Sequence, residues 1–300
     1  MSFILSNTLG LVSPKYRNLS EWIAVYKAIV NTGDRCQKTK ENRNRHIDDI
    51  NCALGAHTLS TIRPCDISQY VNSESKIHPQ KAKRLLVELR CMFNAAMENG
   101  WIDINPAISI RTVKAPTLRQ RLTLEMWRKM YLSVYDDDNW NRRLLTLALM
   151  TGQRRGDLVK MRFSDIHDGC LHITQEKTGV KLALPLRLRL PAVSMSLAFV
   201  IKDCFHYAKN PDYMLRKSTG AKLSASTLSY RFECIRDAAM PEMTGSHVAP
   251  SLHECRSLAA RLYNGVVDTQ TLLGHTNPIM TALYLKERNL KNNELKVLEI

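Results

Sequence analysis

Leu272 to Leu285, LLGHTNPIMTALYL, reads as one helix ending and another beginning. Leu272 and Leu273 close the first, with Gly274 supplying the left-handed cap. Asn277 followed by Pro278 opens the second, because proline at the first helical position loses no needed N–H. Tyr284 then falls near the far end of a short helix, with His275 in the turn before it. A phenol with a pKa of about 10 is a poor nucleophile at neutral pH, so a tyrosine that attacks phosphate needs cations and hydrogen-bond partners brought from elsewhere. The competing reading is an amphipathic core tyrosine. The rest of the chain decides between them.

Three hundred residues are about two domains' worth of chain. A formal net charge of +15, at 44% hydrophobic residues, is too basic for an ordinary enzyme of small metabolites and points to a polyanion. Nucleic acid is the first candidate and a membrane surface the second. Leu144 to Met150, LLTLALM, has only the length of a core helix and falls short of a membrane span. The N-terminus, MSFILSNTLGLV, has no basic n-region and no clear cleavage site. The eight cysteines never form a CxxC pair, which fits reduced thiols in a cytoplasm. His253 and Glu254 lack the second histidine of an HExxH site, so no metal and no cofactor is expected.

Residues 1–17 carry little pattern and read as a lead-in. From 18 to 110 the chain reads as all-helical: about Asn18 to Asn31, a polar helix capped by Thr39, a short one from Pro64 to Val71, and a long one from Gln80 to Asn99. The apolar stripe of the last is Leu85, Leu86, Leu89, Met92, Phe93, Ala96 and Met97. Lys38, Thr39 and Arg43 on one helix, with Lys81 and Arg84 on another, are candidate DNA contacts; a solvated charged face is the alternative. Residues 111–121, with Lys114 and Arg121, form a basic, poorly hydrophobic linker suited to lie along phosphates. A second domain, 122–300, opens with Thr123 as a helix cap. It continues through an apolar helix to Met150, a short helix from Asp157, and two alternating strands, Cys170–Thr174 and Val180–Leu184, joined by an EKTG turn.

Four separated pieces of this second domain carry chemistry. TGQRRGDLVKM hands a tight turn to a helix start with Arg154 at the junction, where free amides and a guanidinium fork both favour phosphate. Lys177 sits at a hairpin tip, able to reach a groove and protonate a leaving alcohol. In PSLHECRSLAARLY, Ser251 and Glu254 make a capping pattern, and His253 and Arg256, three apart, share a helix face. The fourth piece is the opening stretch. Each alone is better explained as a surface or packing residue.

Together, Arg154, Lys177, His253, Arg256, His275 and Tyr284 resemble the active-site set of tyrosine recombinases. TGQR.GDL, the KTG hairpin, HE.RSL.ARLY, and LLGH followed nine residues later by tyrosine are similar to the lambdoid phage integrase branch. QKTKENRNRHI and AKRLLVELRCMFNAAMENGWIDINPA resemble that family's core-binding domain. The resemblance implies a mainly α chain with a small β-sheet: an all-helical, SAM-like core-binding domain and an α+β catalytic domain. It implies that Arg154 and Arg256 hold the scissile phosphate and that Tyr284 attacks to give a 3′-phosphotyrosine. Lys177 would protonate the leaving 5′-oxygen, with His253 and His275 assisting. The implied partners are double-stranded DNA at attachment sites, three further copies of the chain in a tetramer, and an excisionase or host DNA-bending protein, all in the cytoplasm of a bacterial host with the nucleoid. After Tyr284, the alternation of Leu295, Val297 and Ile300 is similar to the family's terminal strand that packs on a neighbouring subunit; a strand on its own domain or a frayed end fits the pattern as well. The chain has no room before about Asn18 for the family's small arm-binding domain. A type IB topoisomerase and a DNA-binding derivative that has lost catalysis are the rival readings.

Overall fold

The computed structural model describes residues 16–115, 119–134, 140–207 and 212–286. The expectations for most of the lead-in and for the tail at Leu295, Val297 and Ile300 lie outside the described residues. The chain divides into two compact units, Met1–Thr117 and Leu118–Ile300.

The first unit is helical: α1 (Leu19–Thr32), α2 (Gln37–Leu54), α3 (Pro64–Ile77) and α4 (Pro79–Glu98). Pro64 and Pro79 each occupy the first turn of their helix, where no N–H is missed. Leu85, Leu86, Leu89, Met92, Phe93 and Ala96 recur at helical spacing and are buried, each large side chain worth about 1.5–3 kcal/mol. Met97, at the edge of that stripe, is exposed. Trp22 locks α1 to α4 by donating its indole N–H to the Met92 carbonyl at 3.1 Å. α3 runs on to Ile77, past the point where its apolar pattern stops: Asn72 to Lys76 continue the helix with exposed or half-buried side chains, and Ile67 and Val71 anchor it. Thr39 lies inside the first turn of α2, whose cap position is taken by Cys36.

The second unit is built around α6 (Trp140–Thr151), buried on all sides from Leu144 to Met150, which explains why LLTLALM is apolar without a polar face. α5 (Leu124–Ser133), capped by the Thr123 hydroxyl, α8 (Leu197–His206), α9 (Ala225–Ala239) and α10 (His253–Tyr263) pack around it or around one another. Between the one-turn α7 (Arg155–Leu158) and α8 lies a three-stranded antiparallel sheet, β1 (Ile166–His167), β2 (Cys170–Thr174) and β3 (Lys181–Pro185). Leu171 pairs with Leu184 and Ile173 with Leu182, putting four apolar side chains on the core face. A separate two-stranded sheet joins β4 (Arg189–Leu190) to β5 (Met195–Ser196). β1, β4 and β5 are two residues long, too short for any alternation to show in the sequence. The chain closes through α11 (Thr269–Leu273) and α12 (Pro278–Leu285). No helix among the described residues is long and apolar enough to cross a membrane. All eight cysteines are free.

Candidate active site

The turn between α11 and α12 is organised by local chemistry. Gly274 adopts φ +61°, ψ +44°, the left-handed cap, and its N–H reaches back to the Thr271 carbonyl at 2.9 Å. The Asn277 side chain accepts from the Ile279 N–H at 2.9 Å, and Pro278 takes the first helical position. His275 is thereby held inward, 8% exposed, while Tyr284, two turns along α12, is partly buried. The Ser257 hydroxyl of α10 donates to the Tyr284 carbonyl at 3.2 Å and fastens that end of α12.

Arg256 is 1% exposed and forms the centre of the cluster. Its Nη1 donates to the Gly152 carbonyl at 2.8 Å, and its Nη2 donates to the Leu273 carbonyl and to His275 Nε2 at 3.0 Å. A guanidinium can only donate, so His275 Nε2 accepts and its proton sits on Nδ1, 3.0 Å from the Thr281 hydroxyl. Arg256 Nε–H is buried with no hydrogen-bond partner. Its guanidinium carbon lies 5.6 Å from the centre of the Tyr284 ring. The Tyr284 hydroxyl and His253 Nε2 are 2.9 Å apart.

Arg154 caps α7, partly buried, and donates Nη1 to Gln175 Oε1 at 2.8 Å. Lys177 is exposed in the turn between β2 and β3. Burial and the neighbouring charge of Arg154 lower the Arg256 guanidinium to about 10, with Asp157 among the groups that resist the shift. Desolvation, then Arg256, Arg154 and Lys177, pull His253 down to about 4. Desolvation, Arg256 and Arg154 do the same to His275. The histidines are therefore neutral at pH 7, inside a pocket whose cations repel one another, a condition that a bound anion relieves.

Both imidazoles have folded pKa values below the ordinary 6.5, so between about pH 6.5 and 4 the unfolded chain binds more protons than the folded one. Stability contributed by the neutral rings is full above 6.5 and declines as pH falls through that window. Urea unfolding at pH 7 and pH 5 is expected to show a lower midpoint at pH 5, and His275→Asn is expected to flatten the difference. An unchanged difference would remove the buried ring as its cause.

Two arginines expected to contact DNA are engaged by carboxylates of the protein, Arg121 in the interior and Arg43 half-buried. Arg121 is 8% exposed: Nη1 pairs with Glu254 at 3.1 Å, and Nη2 donates to the carbonyls of Leu283, at 2.6 Å, and Lys286, at 3.2 Å. It ends α12 and neutralises the acid beside His253. Breaking such a buried pair costs about 3–5 kcal/mol. Arg43 makes a forked contact to the buried Glu88, at 2.8 and 3.0 Å, and donates to the Tyr26 hydroxyl at 2.6 Å. Lys81 pairs with Asp49 and Glu74, and Lys38 with Glu41. Arg84 is exposed and, with Arg35, Thr39, Arg43 and Lys83, lines a groove of about 580 Å³ between α2 and α4. Lys114 is exposed near the end of the first unit. Arg119 donates to the Ser251 hydroxyl at 2.8 Å and the Gln120 N–H to Val248 at 2.6 Å, so the chain from Arg119 to Arg121 is packed against the second unit. Ser251 thus serves Arg119, and Leu252 takes the cap position of α10.

Gln175, Gln153, Thr281 and Glu254 surround the cluster, and none of them stood out as a site residue in the sequence. The signal for Gln175 was available. Leu171, Ile173 and Gln175 are successive inward positions of one alternating run, and a glutamine in an apolar slot calls for partners. His167, Asp168 and His172 place ligand atoms within 4.8 Å of one another. Their imidazole planes stack 3.6 Å apart at 11°, so the in-plane lone pairs run parallel and do not meet at one ion.

Residues 120–290 match the phage integrase family. The prophage integrase IntE of Escherichia coli strain K12 is 33% identical over 299 residues, covering 95% of this chain and 79% of that one. A lambda integrase (75-356) dimer bound to a COC′ core site superposes with a TM-score of 0.84 at 30% identity, covering 94% of this chain and 99% of that one. A lambda integrase tetramer bound to a Holliday junction also superposes at 0.84 and 30% identity, covering 96% and 82%. With a tyrosine, two histidines and a buried arginine in mutual contact, and with relatives of this extent and identity, the chain belongs to the phage integrase family of tyrosine recombinases.

Proposed function

We propose that Tyr284 is the nucleophile with which this recombinase cuts and rejoins DNA at attachment sites. The observation that carries the assignment is the phenol, 2.9 Å from a neutral imidazole and beside a buried, charge-crowded arginine. Tyr284 Oη attacks phosphorus and passes its proton to His253 Nε2. The bond to the 5′-oxygen breaks, and Lys177 protonates that oxygen, since an alkoxide leaves poorly. Arg154 and Arg256 neutralise the charge that builds on the non-bridging oxygens, and the unpartnered Nε–H of Arg256 is a donor left for one of them. His275, whose Nε2 is held by Arg256, steadies that arginine. The 5′-hydroxyl of a partner strand then reverses the steps, so the phosphodiester energy is conserved and no nucleotide is consumed.

In this reading residues 18–110 form the core-type DNA-binding domain and residues 122–300 the catalytic one. Arg84, Lys114 and the half-buried Arg43 are retained as phosphate contacts, while Arg121 shapes the protein itself. The net charge of +15 supports a steep fall of affinity with salt. The dimer of lambda integrase on a core site and its tetramer on a Holliday junction support a homotetramer on DNA; exchange of the C-terminal tail between its subunits is proposed from the alternation of Leu295, Val297 and Ile300. An excisionase and a host DNA-bending protein are the proposed accessory partners, and the cytoplasm, with the nucleoid, the proposed compartment.

The test is a covalent selection. Nicked duplexes with a randomised centre are incubated with the protein in excess EDTA, and denaturation-resistant adducts are isolated and sequenced. Adducts joined at the DNA 3′-phosphate and converging on one site are expected. An activity that needs a divalent ion, or relaxation of supercoiled plasmid without any site, would overturn the proposal.

A further inference from the structure

The side chain of Gln175 is fully buried at the end of β2 and uses both ends of its amide. Nε2 donates to Gln153 Oε1 at 2.7 Å and to the Leu273 carbonyl at 2.9 Å. Oε1 accepts from Arg154 Nη1 and from the Thr178 hydroxyl, both at 2.8 Å. One side chain therefore ties together the Arg154 turn, the hairpin that carries Lys177, and the turn before His275. The Leu273 carbonyl is the same one that Arg256 uses. Both arginines are referenced to a single oxygen, Arg256 directly and Arg154 through the Gln175 amide.

The neighbouring chain is shaped to admit this amide. A Cβ on Gly274 would come within 2.8 Å of Gln175 Nε2 and 3.0 Å of its carbonyl, so the glycine there provides room as well as its positive φ. Gln153 continues the chain of bonds, donating Nε2 to the carbonyls of Thr151 and Leu272, each at 2.9 Å. A guanidinium on a flexible stem loses several rotors when it is aimed, and an acceptor fixed on three sides meets that cost before substrate arrives.

We propose that Gln175 is a positioning residue for strand cleavage: it fixes the Arg154 guanidinium, relative to Arg256, where the phosphate's non-bridging oxygens will lie. The inference rests on the proposed roles of Arg154 and Tyr284. Gln175 acts through Arg154, and its own amide is spent on protein partners.

Gln175→Met is the principal variant. Methionine fills a similar volume in a slot already continuous with Leu171 and Ile173, and the Leu273 carbonyl keeps its bond from Arg256, so the buried acceptor that loses its partner is Gln153 Oε1 and a modest fall in melting temperature without unfolding is expected. Gln175→Ala is the companion, and thermal unfolding checks both. Single-turnover cleavage is measured on the duplex recovered by the covalent selection, made once with a normal scissile phosphate and once with a neutral methylphosphonate. The neutral linkage carries one negative charge fewer than the phosphate and one non-bridging oxygen instead of two, so it depends less on a pair of arginines. Gln175→Met is expected to slow cleavage of the normal phosphate about 10- to 100-fold and of the methylphosphonate less than about 3-fold. Combined with Arg154→Ala, it is expected to add less than about 2-fold to the loss from Arg154→Ala alone. Equal slowing on both substrates, additive losses in the double variant, or wild-type rates in both Gln175 variants would each overturn the inference. Failure of the parent protein to form the adduct would instead overturn the nucleophile assignment, so the two failures are distinguishable.

Discussion

Tyr284→Phe is expected to abolish the covalent adduct, lowering single-turnover cleavage by roughly 10⁴-fold or more. Phenylalanine retains the ring against which Arg256 and His275 pack, at 5.6 and 5.2 Å, and removes only the oxygen. That oxygen bonds His253 at 2.9 Å and also interacts with the buried Arg256 guanidinium, so its loss should cost about 1 kcal/mol of stability. DNA affinity, set by phosphate contacts across a chain of net charge +15, should change less than about threefold. Gel-shift titration and adduct formation on the same selected duplex measure the two quantities side by side. Full adduct yield from the phenylalanine variant would move the nucleophile to another residue and dissolve the mechanism.

Arg256→Ala carries the next largest effect, and for two separable reasons. Loss of one preorganised donor to a phosphoryl oxygen costs about 10²–10³ in rate. The same truncation leaves the buried Gly152 carbonyl without the partner it had and releases His275 Nε2. Each buried acceptor so orphaned costs about 1–3 kcal/mol, so thermal unfolding should shift down together with activity. Removing the arginine also removes a charge that holds His275 near 4, and that imidazole should titrate closer to 6.5. Arg256→Lys should recover little, because an ammonium cannot span the three acceptors that the planar fork reaches. A variant with full cleavage, or one whose His275 titration is unmoved in an NMR pH series, would contradict this account.

What could be read in the sequence was mostly what neighbours in the chain decide. The Gly274 cap, the Asn277–Pro278 start and the Thr123 cap are written within three or four residues, and the structure repeats them. The long apolar stripe of α4 was legible for the same reason, failing only at Met97 on its margin. Convergence was not legible. Gly152 and Arg256 are 104 positions apart, and no periodicity announces that they meet; only the resemblance of their motifs to a known family joined them. Charge alone does not say where a basic side chain ends up. Arg121 suits phosphate by its place in a basic segment, whereas Glu254, far off in sequence, holds it inside; Arg43 turns to Glu88 and stays half-buried at the groove between α2 and α4. Gln175 was passed over because a lone glutamine carries no motif, although its place in the strand alternation marked it.

The guanidinium of Arg121 joins three things: the last turn of the helix that bears the phenol, the acid next to the imidazole that faces it, and the segment that leads into α5. α12 can swing outward only by giving up both carbonyl bonds to that ion, which is itself held in place by Glu254. The proposed attacking group is thus berthed beside its arginine by a mooring anchored outside the reaction centre. Cutting by a subunit's own tyrosine is the arrangement this mooring favours, and handing the helix to a neighbour would first require the mooring to be slipped.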